Sequence, residues 1–275
     1  MKLLRGVMVA LLATAMLACG GAMAASTTNY SDQWWIPAES GWGASVLQQN
    51  DVLFIDLFVY DTSTSPTWFT AAAFQQAGSP AGHTVFTGDL YRTTGPYFGG
   101  PFNPDLVRQS RVGTLTFDAN SATTAVMTYT VDGTQVVKNV TRQLWRYENI
   151  GGIYVGGMAD DEVCGNGPSE RASDHVILDI RHAAGNAITI LLQIISPDEP
   201  TINCTITGTY SQSGHMGQIP NAAAQCPGVG ATGTFNFYEI ERSVSGLLMR
   251  YNATVQTPDG ACTFSNGSIG GVRKF

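Results

Sequence analysis

Serine and glycine motifs offer the first test for chemistry in this chain. The nearest approach to a G-x-S-x-G nucleophile turn places Ser268 within Asn266–Gly270, where asparagine replaces the first glycine and a strand pattern surrounds the serine. Gly228, Gly230 and Gly233 have G-x-G-x-x-G spacing, but a strand pattern follows them where a dinucleotide site requires a helix. Neither motif therefore predicts a nucleophile or a nucleotide site.

Acidic and histidine residues give no metal-binding spacing. Asp160, Asp161 and Glu162 could offer oxygen ligands to calcium, yet the D-x-D-x-D-G spacing of a known calcium loop is absent, which favours a solvated acidic turn. His215 lies in the Gly-rich segment 213–217, which predicts a solvated loop residue. We therefore expect no metal and no cofactor, and the sequence assigns no catalytic residue.

Tryptophan is concentrated in the first half of the chain, at positions 34, 35, 42, 68 and 145. Flat, amphipathic rings can line a groove for sugars, lipids or aromatic ligands, or they can fill the core of a small barrel. The core role is favoured for the group. Trp34 and Trp35 are the pair expected to reach the surface, because adjacent strand residues face opposite ways.

Asp56 is the unusual residue of a strand pattern, with Phe54 and Phe58 on its own face. A carboxylate there must reach solvent, find a donor or shift its pKa. It is either a polar contact in a pocket or part of a solvent-facing strand side. With the aromatic group it completes the candidate ligand-binding set, which is Trp34, Trp35, Trp42, Asp56 and Trp68.

Short segments rich in Val, Ile, Thr, Phe and Tyr alternate with Gly, Pro, Asp and Asn, a pattern typical of consecutive antiparallel strands. Asp132-Gly133 is a strong two-residue hairpin signal. The pattern predicts an all-β protein with very little helix, built as two small antiparallel up-and-down barrels or sandwiches. The predicted strands lie near 42–49, 52–60, 67–76, 83–92, 111–118, 123–131, 134–145, 152–158, 174–182, 187–195, 202–211, 232–241, 246–256 and 261–272.

The N-terminus predicts export. Lys2 and Arg5 precede an apolar run and then a small-residue stretch ending at Ala24, the anatomy of a cleaved signal peptide. The alternative is a lipoprotein signal that retains Cys19 as a lipid anchor. We divide the chain into a signal peptide at 1–24, a Trp-rich β domain at 25–149 and a cysteine-containing β domain at 150–275.

Four cysteines remain after residue 24, all in the second half: Cys164, Cys204, Cys226 and Cys262. In an oxidising compartment an even set indicates disulfides, with three possible connectivities. We favour Cys204 with Cys226 and Cys164 with Cys262, because the first pair would close one hairpin and the second would tie an early strand to the last one.

Charge and hydropathy exclude two classes of partner. Loss of the two basic residues of the signal leaves 12 basic against 21 acidic residues, a net charge of −9, which argues against nucleic acid. The nearest later apolar run is 187–195, too short for a transmembrane segment of about 18 residues. We therefore expect an extracytoplasmic protein, periplasmic or secreted.

Several motifs in order carry a family resemblance over the first half of the chain. They are W-W-I-P-A-E-S-G-W-G at 34–43, Tyr-Asp at 60–61, P-T-W at 66–68 and G-D-L-Y-R-T-T-G-P at 88–96. In these the chain resembles a group of exported proteobacterial proteins. Leu57 stands where that group has a large aromatic residue, and Asp56 where it has a small one. The resemblance implies a Gram-negative exported protein and brings no activity.

These observations lead to a functional expectation with two alternatives. We expect a non-catalytic binding or structural protein whose partner is a small molecule, a glycan or a surface protein, with the Trp-rich half as the contact module. One alternative is a secreted hydrolase that uses carboxylates or histidines. The other is a protein of surface assembly or adhesion.

Overall fold

A computed structural model describes residues 28–196 and 200–275. The predicted signal peptide and Cys19 lie outside the described residues. Within them, residues with inward-facing apolar side chains alternate with outward-facing ones along each strand. In 52–60, for example, Leu53, Ile55 and Leu57 are buried while Phe54 and Phe58 are exposed. This period of two is what a closed sheet with a filled interior requires.

The first eight strands form a closed antiparallel barrel, the N-terminal barrel, in which each strand pairs with the next and β1 closes on β8 through Trp34 and Arg142. Its strands are β1 (Asp32–Trp35), β2 (Gly43–Gln49), β3 (Val52–Tyr60), β4 (Pro66–Gln75), β5 (Thr84–Thr94), β6 (Arg108–Ala119), β7 (Thr124–Val131) and β8 (Thr134–Arg142).

The other nine strands form the C-terminal barrel. They are β9 (Gly152–Cys164), β10 (Glu170–His182), β11 (Ala187–Ile195), β12 (Ile202–Thr209), β13 (Ser211–Ser213), β14 (Met216–Cys226), β15 (Ala231–Arg242), β16 (Gly246–Thr257) and β17 (Gly260–Lys274). Eight of them close the ring in the order β12-β11-β10-β9-β17-β16-β15-β14, with β12 pairing β14, and β13 adds a short hairpin arm to β14.

The all-β prediction of two antiparallel up-and-down barrels is confirmed. Within residues 28–196 and 200–275, helical content is confined to short 3-10 segments at Pro37–Glu39, Pro104–Leu106, Ala184–Asn186 and Pro227–Val229. Each barrel has its own apolar core, one around Trp34 and Phe117 and the other around Tyr154 and Tyr251. The domain boundary placed at 149/150 falls in the connection between β8 and β9. No helix among the described residues is long and apolar enough to cross a membrane.

Two disulfides join neighbouring strands at one end of the C-terminal barrel. Cys164 is bonded to Cys262, its partner in register on β17, and Cys204 is bonded to Cys226 where β12 meets β14. These are the pairs that the sequence favoured. Both bonds indicate that the protein folds in an oxidising, extracytoplasmic compartment.

A buried ionic contact joins the two barrels. Oδ2 of Asp32 accepts from the backbone N–H of His215 at 3.0 Å, lies 2.8 Å from its Nδ1 and receives Nη1 of Arg142 at 3.2 Å. Gly214 has a φ of 58°, and a Cβ there would lie 2.0 Å from Asp32 Oδ2, so glycine is required for this approach. The contact fixes the start of β1 against the β13–β14 turn.

Candidate functional site at the open mouth of the N-terminal barrel

The N-terminal barrel has two unlike ends. The end that holds Asp32 and Arg142 abuts the C-terminal barrel. The opposite end carries the segments that follow β1, β3, β5 and β7, which are 36–42, 61–65, 95–107 and 132–133. In an up-and-down barrel these connections must lie together. We call this end the mouth.

A cavity of about 620 Å³ opens at the mouth. Its walls are the ends of five strands and the turns between them, and its floor is the apolar barrel core. Ligand sites favour barrel mouths and have volumes of about 300–1,000 Å³. The lining residues combine apolar side chains with hydroxyl and charged groups: Val59, Tyr60, Asp61, Thr62, Thr67, Phe69, Arg92, Tyr129, Val131, Asp132, Thr134 and Val136.

Arg92 is the cation of this cavity, and its charge is already paired. Its Nη2 donates to Asp132 Oδ2 at 2.9 Å, and its guanidinium lies 5.3 Å from the centroid of the Phe69 ring. Asp132 adopts a φ of 48° in the two-residue turn with Gly133, which directs its side chain from β7–β8 toward β5. The pair holds Arg92 in place and leaves its other N–H groups available to a ligand.

A second charge pair stands beside the mouth, built by the 3-10 segment Pro37–Glu39. Glu39 Oε2 accepts from Trp42 Nε1 at 2.9 Å and from Lys138 Nζ at 2.6 Å, while that ammonium lies 5.1 Å from the centroid of the Trp42 ring. The hydrogen bonds from Lys138 and then Trp42 hold the pKa of Glu39 below its usual value. Glu39 is therefore ionised at neutral pH, and the cluster carries no net charge.

Tyr129 contributes a largely buried phenol to the cavity wall. Burial, and secondarily the negative charge of Glu39, raise the pKa of Tyr129. Its phenol therefore stays protonated at neutral pH and can both donate and accept a hydrogen bond.

The candidate tryptophans divide among three surroundings. The expectation that Trp34 reaches the surface is wrong: it is 0% exposed, its Nε1 donates to Tyr30 O at 3.0 Å and its ring packs edge-on against Phe117. Trp35 is partly buried on the outer side of β1. Trp42 packs partly against the barrel core beside Lys138.

Asp56 and Trp68 lie on the outer face of the barrel, away from the cavity. Asp56 is opposite Thr70 across β3–β4, and Trp68, 51% exposed, is opposite Phe58. Burial beside the two exposed phenylalanines raises the pKa of Asp56. Asp56 therefore lies on a solvent-facing side of the strand and does not contact the pocket. The five candidate residues do not come together at the mouth.

Two polar residues have surroundings that the sequence did not predict. His215 does lie in a turn, as predicted, but it is only partly solvated, because its ring contacts Asp32 of the other barrel. The acidic run 160–162 is not a turn but the end of β9. Asp160 is 3% exposed and accepts a hydrogen bond from the Tyr251 hydroxyl, and burial outweighs that bond and raises its pKa.

Sequence reasoning did not identify Arg92, Tyr129 or Asp132 as candidate ligand-binding residues. Arg92, Tyr60 and Asp61 do belong to the motifs that carry the family resemblance, as do Glu39 and Trp42. These residues run from position 39 to position 92 in sequence and meet around one opening, which is the signal that could have identified the mouth.

No model of a known protein family matches the chain, and no curated protein is similar to it. The geometry of the mouth therefore carries the functional proposal.

Proposed function

We propose that the chain is an exported, non-catalytic binding protein that holds a small hydroxyl-rich ligand, such as the end of a glycan, in the mouth of the N-terminal barrel. The observation that carries this proposal is the composition of the open cavity of about 620 Å³. Apolar rings and side chains supply contact area, while Tyr129, Arg92 and three threonines supply directed hydrogen bonds. This mixture is what small-molecule sites use.

The charges at the mouth favour a neutral ligand over an anionic one. Arg92 is paired with Asp132, and Lys138 is paired with Glu39. An anionic ligand would compete with these carboxylates and would be repelled by Asp61 in the wall, whereas a hydroxyl group can add to the remaining donors and acceptors without disturbing the pairs. A sugar, which presents hydroxyl groups around apolar ring faces, fits this pattern.

The alternative of a hydrolase has one arrangement to examine, the Asp32–His215 pair, which resembles the base and orienting acid of a triad. Nε2 of His215 is buried without a hydrogen-bond partner among the described residues, and Glu241 Oε2 lies 4.0 Å away. A nucleophile would have to occupy that position. The absence of one there favours binding over catalysis.

Export is part of the same proposal. The disulfides support an oxidising compartment. We propose that the chain is released after Ala24 and works in the periplasm or outside the cell, with a lipid anchor at Cys19 as the alternative. Mass spectrometry of the purified mature protein measures which residue is first and whether it carries lipid.

Tyr129→Phe tests the ligand site because it removes one hydroxyl group and keeps the ring that packs on the core. Loss of one hydrogen bond of about 1 kcal/mol predicts affinity about fivefold weaker. Tyr147→Phe, which removes a hydroxyl group outside the cavity, is the matched control and should bind like wild type. The ligand is first identified by native mass spectrometry of the purified protein and a glycan array, and affinities are then measured by calorimetry.

Equal affinity of Tyr129→Phe and wild type would place the ligand elsewhere. A panel of esters, glycosides and peptides addresses the hydrolase alternative. Turnover that is lost on replacement of a single aspartate or histidine would overturn the non-catalytic proposal.

A further inference from the structure

The segment 95–107 between β5 and β6 presents aromatic side chains to solvent beside the mouth. Tyr97 and Phe102 are each 72% exposed and Phe98 is 93% exposed. No charged residue occurs from Gly95 to Pro104, a stretch that reads G-P-Y-F-G-G-P-F-N-P. Exposure of three large rings in one uncharged loop is costly in water and is typical of a contact surface.

The base of this loop is held by hydrogen bonds, while the aromatic side chains before it are exposed. Asn103 Oδ1 accepts from the backbone N–H of Asp105 at 2.9 Å and starts the 3-10 segment Pro104–Leu106. Nη1 of Arg108 donates to the carbonyl oxygens of Asp105 at 2.5 Å and Val107 at 2.9 Å. The Tyr97 and Phe98 rings contact each other, with centroids 4.8 Å apart. The rings are therefore held outward on a fixed support.

Neighbouring strand ends extend the aromatic surface around the rim. Tyr60 ends β3 and Trp68 lies at the start of β4, both more than half exposed, and β4 pairs with β5, which leads into the loop. We call the five residues Tyr60, Trp68, Tyr97, Phe98 and Phe102 the aromatic collar. Together they expose on the order of 500 Å² of largely apolar surface, as large as the patches that mark interaction sites.

We propose that the aromatic collar inserts into the interfacial region of a phospholipid bilayer and docks the mouth of the N-terminal barrel on that surface. The three rings of the loop are each more than two-thirds exposed, so a protein partner would need a pocket shaped to receive each ring, whereas lipid needs none. Tyrosine and tryptophan favour the headgroup level of a bilayer, where one end of the ring is apolar and the other wet.

Charge supports the same partner. The inserted stretch is uncharged, so no charge enters the apolar layer, and the next charged residues, Asp105 and Arg108, follow it on the 3-10 segment and at the start of β6. Of the collar residues, Tyr60 alone also lines the cavity, so the contact made by the other four does not require the mouth to hold a small molecule.

Vesicle flotation of the mature chain tests the proposal, with phosphatidylcholine vesicles and with vesicles that also contain phosphatidylglycerol. We expect wild type to float with both, and the double variant Phe98→Asp, Phe102→Asp to bind at least tenfold more weakly. Val244→Asp, at a site 87% exposed in the turn between β15 and β16, adds a charge elsewhere and should float like wild type. Equal melting temperatures confirm that the variants fold.

Phe98→Trp supplies an independent readout, because its emission should shift to shorter wavelength when phosphatidylcholine vesicles are added. Failure of wild type to float, or flotation of the double variant at wild-type strength, would overturn the proposal. Binding only to anionic vesicles that salt abolishes would also overturn it, since insertion is not then the cause. Self-association in sedimentation that the double variant loses, without flotation of wild type, would assign the collar to a second copy of the chain.

Discussion

Trp34 and Trp35 are adjacent residues of β1 with opposite surroundings. Trp34 points into the barrel, where its ring contacts Phe117 and the Arg142 guanidinium lies 4.8 Å from its ring centroid, while Trp35 is on the outer side. Because side chains alternate along a strand, the two tryptophans must face opposite sides of the sheet, but alternation does not say which of them faces inward. That choice depends on how β1 pairs with β2 and β8, which a four-residue strand does not reveal.

Replacement of each tryptophan by alanine should separate core from surface. Trp34→Ala removes a fully buried ring and should lower the free energy of unfolding by about 3–5 kcal/mol. Trp35→Ala should lower the free energy of unfolding by less, because the Trp35 side chain already contacts solvent. Urea denaturation followed by circular dichroism measures both. Equal losses for the two variants would contradict the assignment of Trp34 to the core.

At the scale of elements, strands were predictable where β-forming side chains alternate between good turns. The 52–60 and 187–195 strands have the bounds expected from sequence, and the Asp132-Gly133 turn adopts positive φ at both residues, as its type requires. β14 was missed, because it contains Pro220 and three consecutive alanines. Its residues have a weak intrinsic preference for strand structure, but pairing with β12 and β15 holds them in a strand, with register shifts around Ile219.

The two disulfides should stabilise the C-terminal barrel to different degrees. The Cys164–Cys262 bond closes a loop of 98 residues, and the Cys204–Cys226 bond closes one of 22. Chain entropy alone predicts losses of about 5 and about 3 kcal/mol when each pair is replaced by alanine. Urea denaturation followed by circular dichroism measures the free energy of unfolding of each double variant and shows which disulfide stabilises the barrel more.

Tryptophan fluorescence provides the internal control for that experiment. No tryptophan lies beyond position 145, so the signal reports on the N-terminal barrel. Its unfolding midpoint should be the same in both double variants as in wild type. A larger loss for the shorter loop would show that native packing around Cys204 and Cys226 outweighs loop length.

At the scale of the whole molecule, the number of strand patterns was sufficient to predict two barrels, while their mutual contact was not predictable. Asp32 and His215 are 183 residues apart, and neither belongs to a motif. Arg142 is buried beneath them and donates to the carbonyl oxygens of Asn29, Ser31 and Ala122. Such a cluster arises only when both sheets are closed, so local sequence carries no sign of it.

Acid should weaken this contact between the barrels. Burial opposes ionisation of Asp32, but the hydrogen bonds and charge of His215 outweigh it and hold the pKa of Asp32 below its ordinary value of 3.8. A lowered carboxyl pKa contributes stability that is complete above the ordinary value and is lost as pH falls through the lowered one. The contact should therefore be intact from neutral pH to about pH 5 and weaken below about pH 4.

Small-angle scattering from pH 7 to pH 3 measures this effect, with tryptophan fluorescence to verify that the N-terminal barrel stays folded. The radius of gyration should rise below about pH 4 as the barrels separate. Asp32→Asn keeps the size of the side chain but not its charge, so the variant should give a larger radius already at pH 7 and a smaller change on acidification. A constant radius in both proteins down to pH 3, with folded barrels, would show that other contacts, such as the hydrogen bonds of Thr28 to Glu239 and of Asn29 to Glu241, hold the barrels together without the Asp32 charge.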